Sequence, residues 1–195
     1  MHYLKPEYVE NIINAVGYAE QIDAPLTAHF TVTWFAKPGE NIRGYQIKLF
    51  ERYKKWARYH GFKAAYVWSL ENGSSLGLHT HILLHVPKAY RHELRRRMFK
   101  RWVIKACGRW KDKMVRGRRI PRHLEPVPNE RRMTTLADLE RRTLYLVKDV
   151  KPDSDLAATL PFERLRKRGD RYGHVDGKRC GTSRNIGAHA RALAA

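Results

Sequence analysis

The chain has 195 residues, 43% of them hydrophobic and 30% charged, which suits one domain with extensions and excludes a largely disordered protein. Lys and Arg number 39 against 19 Asp and Glu, a formal charge of +20. That imbalance costs stability through self-repulsion and points to a phosphate backbone as partner, since no cationic helix has the clean apolar face a membrane surface would need. Cys107 and Cys180 form no CxxC pair, which excludes a disulfide framework and a cysteine zinc finger and fits a reducing compartment. No run approaches membrane-spanning length, and Met1–Glu7 has no apolar signal core. The expected location is the cytoplasm of a bacterial-type cell.

Residues 5–22 read as a helix with Val9, Ile12, Ile13 and Val16 on one stripe, and Pro6 suits its first turn. Residues 28–35 alternate as a strand, with Phe30, Val32 and Trp34 toward a core and Thr31 and Thr33 on the other side. A second helix is predicted over 42–60, with Tyr45, Leu49, Tyr53 and Trp56 aligned. Strands follow at 62–71 and 78–87, joined as a hairpin by the turn chemistry of Glu71–Gly77. Tyr66, Trp68 and Leu70 then share a core face with Thr80, Ile82, Leu84 and Val86. A third helix is predicted over 88–106, with Leu94, Met98, Trp102 and Ile104 inside a basic run. MVRGRRI and HLEPV, within 112–128, are candidate edge strands limited by prolines. A last helix covers 134–150, with Thr134 or Thr135 as its cap and Pro152 just past its end. No internal repeat is present.

This order implies an α+β fold: a central antiparallel sheet of about five strands with helices packed mainly on one face. Residues 1–27 form an N-terminal helical extension, 28–150 the main domain, and 151–195 a basic C-terminal segment that can belong to the same domain.

The chemistry begins with His79 and His81. One residue apart on a strand, they project side by side from one face. Glu71 joins them only if the hairpin pairs residues whose numbers sum to about 150, which opposes Glu71 to His79 and Ser69 to His81 around a turn centred on Ser75. A register shifted by one residue would turn Glu71 into the core. His85 shares the face but lies further along and is a weaker ligand. Two imidazoles and a carboxylate suit Mn²⁺ or Mg²⁺, with Zn²⁺ or Fe²⁺ also accommodated, and such an ion can polarise a phosphate. An H-x-H pair on a strand is also met as ordinary exposed polar residues.

On the last helix, Tyr145 and Lys148 are three apart and share a face, with Leu136, Leu139, Leu144 and Val147 supplying most of the opposite stripe. A phenol is a poor nucleophile at neutral pH, and a neighbouring ammonium and a polarised phosphate both help it. By itself the motif is weak and reads more readily as a half-buried tyrosine beside a solvated lysine.

The combination is more specific. His29-Phe30-Thr31-Val32-Thr33-Trp34, then Leu78–Val86, then Tyr145–Lys148 resembles, in order and content, the three motifs of the HUH endonucleases. The tyrosine follows the histidine pair, as in single-tyrosine rolling-circle replication initiators rather than relaxases. The resemblance covers about residues 28–150 and implies an HUH/RRM-like sheet. It implies metal ligands His79, His81 and Glu71, a nucleophile Tyr145 that bonds to the 5′ side of a single-stranded DNA phosphate, and Lys148 assisting there. One departure is Thr80, where the family has a bulky hydrophobic residue. A second helix-borne tyrosine and a P-loop are both lacking, so no helicase is fused within the sequence and a host helicase is a candidate partner.

Arg95, Arg96, Arg97, Lys100, Arg101, Arg116, Arg118 and Arg119 are candidate phosphate contacts on single-stranded DNA or an origin hairpin, and Trp102, Trp110 and Tyr90 candidate stacking residues. The segment 177–185 can cradle a phosphate, add a strand, or remain a disordered tail. Other readings are a single-strand DNA transposase with the same chemistry and a non-catalytic nucleic-acid-binding protein with a structural metal. A cupin-type metal enzyme also uses H-x-H and Glu, but that fold needs many strands and a glutamate soon after the histidines. Here the next one is Glu93, on a predicted helix.

Overall fold

The computed structural model describes residues 3–94, 99–119, 129–151, 153–159 and 173–194, with 99, 118–119 and 129–137 as backbone alone. In chain order the elements are α1 (Pro6–Gln21), β1 (Leu26–Thr33), α2 (Ile42–Tyr59), β2 (Tyr66–Gly73), β3 (Gly77–His85), α3 (Arg91–Glu93), α4 (Phe99–Cys107), β4 (Val115–Arg119), α5 (Asn129–Val147), α6 (Asp155–Thr159), β5 (Cys180–Thr182) and α7 (Ala188–Ala192). The five strands form one sheet in the order β4-β1-β3-β2-β5, and every pairing is antiparallel. The α+β architecture read from the sequence is the one observed.

Strand alternation sorts the side chains into two cores. Phe30, Val32, Trp34, Tyr66, Trp68, Leu70, Ile82, Leu84 and Val86 fill one face, packed against Leu49, Phe50 and Tyr53 of α2 and Val103 and Ala106 of α4. Among the described side chains of α4, Val103 and Ala106 are fully buried, while Trp102 and Ile104 are half-buried. The stripe is therefore rotated by about one residue from the predicted one. Met98 lies outside the described residues.

The second face is not left to solvent. Leu26, Val67 and Leu83 meet Val9, Ile12, Ala15, Val16 and Ala19 of α1 and Leu144, Leu146 and Val147 of α5. The polar histidine face is thus covered by a helix layer of its own. Alternation alone could not show this, because it reports which residues share a face and not what lies above them.

Two glycines set the sheet. Gly77 closes the hairpin at φ 61°, the left-handed region that suits glycine. Gly117 on β4 opposes Phe30, and a Cβ there would stand 2.1 Å from the phenyl ring. MVRGRRI is therefore an edge strand, as expected, and its glycine lets the aromatic core reach the sheet edge. HLEPV lies outside the described residues. The last helix begins at Asn129, before Thr134 and Thr135, so neither threonine caps it. Of the three readings of 177–185, the observed one is the added strand: Cys180–Thr182 pairs with Val67–Ser69.

Thr80 has its own role in the first core. Its Oγ1 accepts from Trp34 Nε1 at 2.7 Å and from Gln46 Nε2 at 2.8 Å, and all three residues are buried. A bulky apolar residue here would strand two buried donors. Thr80→Val should therefore lower unfolding stability by at least about 2 kcal/mol, since each orphaned donor costs roughly 1–3 kcal/mol. Urea unfolding with an unchanged m-value checks this, and an effect under about 0.5 kcal/mol would contradict the assignment.

Candidate metal centre

The hairpin pairs Glu71 with His79 and Ser69 with His81, and Gly73 pairs with Gly77 around the turn. This is the register that brings Glu71 onto the histidine face. Two cross-strand rows result. One runs Thr33, His79, Glu71 across β1, β3 and β2, and the next runs Arg116, Thr31, His81, Ser69, Cys180 across all five strands.

Glu71, His79 and His81 are 2%, 4% and 3% exposed. One donor atom from each lies within 4.8 Å of the others, so the three could hold a metal ion. His79 Nε2 and His81 Nε2 stand 3.5 and 3.7 Å from Glu71 Oε2. Donors about 2.1 Å from a tetrahedral ion lie roughly 3.4 Å apart, so the spacing fits.

The outer contacts orient the rings. His79 Nδ1 lies 2.7 Å from the Gly77 carbonyl, which only accepts, so Nδ1 carries the proton and Nε2 keeps its lone pair. His81 Nδ1 is held by Thr31 Oγ1 at 2.9 Å. Burial, the largest influence on His81, disfavours its charged form and outweighs the attraction of Glu71, so its pKa falls and the neutral, ligating form is favoured. Burial pushes the Glu71 carboxyl the other way, but its contacts with His79 and His81 and the charge of Lys148 hold it well below the usual range. Glu71 Oε1, His81 Nε2 and Ser69 Oγ are buried polar atoms without a hydrogen-bond partner. Such atoms are costly unless something else satisfies them, and the N/O donor set suits a divalent cation.

α5 and the turn after it bring two further groups. The Tyr145 ring stands edge-on to His81, with centroids 5.0 Å apart. Lys148, buried just past the helix end, bonds Glu71 Oε2, and its Nζ lies 4.0 Å from the Tyr145 ring centroid. The lysine is therefore not solvated; it pairs with the carboxylate. His85 stands apart from the three ligands and uses Nδ1 on the Pro25 carbonyl at 2.8 Å.

Several neighbours escaped the sequence reading. His29 lies 5.6 Å from His81 by ring centroid, and Arg142 Nη1 donates to its Nδ1 at 3.0 Å. The alternation that put Thr31 and Thr33 on the far side of β1 already put His29 there too. Asp149 and Arg179 form a buried ion pair at 2.7 Å, and Arg179 Nε reaches the Leu70 carbonyl at 3.5 Å. Burial and then the Glu71 charge push the Asp149 carboxyl up. Arg179 had no local signal, because its partners lie on distant segments.

The described basic candidates lie on two elements, β4 and α4. Arg116 is exposed in the row of His81, and Arg118 and Arg119 pair on β4 with His29 and Ala28. Lys100 and Arg101 are exposed on α4, which packs on the opposite sheet face. Arg95, Arg96 and Arg97 lie outside the described residues. Of the stacking candidates, Tyr90, Trp102 and Trp110 are half-buried against the first core. Among the described residues, no helix is long and apolar enough to cross a membrane.

No family model and no curated protein matches the chain. Among solved structures it is similar to the N-terminal nuclease domain of non-structural protein 1 of minute virus of mice, described as coordinating Zn²⁺ in its active-site pocket and recognising DNA at the origin of replication. Identity is 9%, the match covers 60% of this chain and 76% of that one, and the TM-score is 0.33.

Calorimetric titration should show one divalent ion bound per chain, with Glu71→Gln or His81→Ala weakening it at least about tenfold. Affinity should fall as pH drops below the ordinary histidine value near 6.5, because protons compete for a His81 Nε2 whose pKa burial has lowered. The metal-free protein should lose stability in the same direction. With its folded pKa lowered, His81 takes up a proton on unfolding, so acid favours the unfolded chain from about pH 6.5 downward. The depressed Glu71 adds a further loss below its ordinary value of 4.5. Melting between about pH 7.5 and pH 5.5 tests this, and a flat profile that His81→Ala leaves unchanged would contradict it.

Proposed function

We propose that this chain is a single-tyrosine HUH endonuclease that nicks and rejoins single-stranded DNA and initiates rolling-circle replication of a plasmid or phage. The supporting observation is the convergence of three separate segments: Glu71 on β2, His79 and His81 on β3, and Tyr145 edge-on to His81 from α5. A bound Mn²⁺ or Mg²⁺ would polarise the scissile phosphate. Tyr145 is the nucleophile. Its phenolic oxygen bonds to phosphorus, the bond from phosphorus to the preceding 3′ oxygen breaks, and the released 3′ oxygen takes up a proton as the phenol gives one up. Attack by a 3′-OH on the phosphotyrosine reverses the step and joins ends. Lys148, held between Glu71 and the Tyr145 ring, balances the buried carboxylate and lies close to where phenolate charge develops. The catalytic unit of this reading is residues 28–150, and strand unwinding falls to a separate host helicase. A small single-strand DNA transposase would use the same chemistry.

The 2–4% exposure of the three ligands favours a second reading, a structural metal in a non-catalytic DNA-binding protein. One experiment separates them. The protein is mixed with Mn²⁺ or Mg²⁺ and single-stranded oligonucleotides carrying hairpins, and resolved under denaturing conditions. A covalent adduct is expected, abolished by Tyr145→Phe and reduced at least about 100-fold by His81→Ala. Full metal binding with no adduct on any hairpin substrate would favour the structural metal.

A further inference from the structure

Between α2 and α4, on the sheet face opposite the metal centre, lies a cleft of about 250 Å³ lined by Arg52, Trp56, Glu93, Arg101, Trp102 and Lys105 over a floor of Leu94. Its volume is below the roughly 300–1,000 Å³ of drug-sized sites and suits a single flat group. The two indoles meet edge to face, with centroids 5.9 Å apart and planes at 75°, so the walls offer aromatic surface in two orientations. Three cations line it against one carboxylate, and that carboxylate already faces His60 Nε2 at 3.6 Å. Arg101 and Lys105 are exposed, while Arg52 Nε is buried with no hydrogen-bond partner. Aromatic faces rimmed by unneutralised cations match one chemistry well: an unpaired base with its adjoining phosphate.

We infer that the α2–α4 cleft is a second DNA site, which seats one unpaired nucleotide of single-stranded DNA, its base against Trp102 and Trp56 and its phosphate on Arg101 and Lys105. The inference rests on the DNA-processing reading only for the identity of the strand. Because the cleft and the metal centre lie on opposite faces of the sheet, the two sites would hold different stretches of one molecule.

The test uses the full chain in EDTA, so that binding is read without chemistry, with a labelled dT20 oligonucleotide followed by anisotropy and by quenching of tryptophan fluorescence. Saturable quenching is expected. Arg101→Glu with Lys105→Glu should weaken binding at least about tenfold, and the equal charge change Lys5→Glu with Lys178→Glu should weaken it markedly less. Trp102→Ala should cost about tenfold and Trp102→Phe should restore most of it. Equal losses from both charge-reversed pairs, no effect of Trp102→Ala in a variant with an unchanged melting temperature, or tighter binding of an equally long RNA would overturn the inference. If the cleft variants lose DNA while no adduct ever forms, the cleft stands and the nuclease reading falls. Adduct formation with cleft variants that bind normally means the reverse.

Discussion

Glu71 is a carboxylate at 2% exposure, and most of the second sheet face is arranged around keeping it charged. An isolated buried carboxylate would neutralise or unfold its surroundings. Here two imidazoles approach the same oxygen from the neighbouring strand, and an ammonium reaches it from the turn after α5. Those contacts exist only in one hairpin register. A slip of one residue would turn Glu71 into the aromatic core and take its carboxylate away from the buried Lys148.

The charge on Glu71 also ties remote segments together. Lys148 is adjacent to Asp149, whose carboxylate pairs with Arg179, and Arg179 lies just before β5 and shares backbone hydrogen bonding with Leu70, the neighbour of Glu71. Two buried ion pairs from three chain segments therefore close on one another. Buried pairs of this kind add little net stability over apolar packing, but breaking one leaves a bare charge, which makes the arrangement specific. The parallel bridge from Leu4 to Val150 brings the start of α1 to the same place. The second helix layer is thus bound to the site by charge as well as by its apolar stripe.

The two sheet faces do different work. The first is an aromatic core in which the buried polar cluster of Thr80, Trp34 and Gln46 is satisfied internally. Buried ligand atoms on the second still seek a partner. A bound divalent ion would explain that asymmetry, and the chain's excess of positive charge would favour the approach of phosphate.

Local pattern determined a good deal of this. Period-two alternation assigned Phe30, Trp68 and Ile82 to one face and His79, His81 and Glu71 to the other, because a strand leaves no third choice. Turn residues centred the hairpin on Ser75 and with it the register. The helical spacing of Tyr145 and Lys148 turned both toward one side, although α5 ends at Val147 and Lys148 lies just past it. What covers each face is a matter of non-local packing, so only the tertiary structure decided that α5 lies over the histidines, that Lys148 is buried on Glu71, and that His29, Asp149 and Arg179 join the site. Those contacts span up to 113 residues between His29 and Arg142, and no window of sequence reports the energy of burying one charge against another that far away.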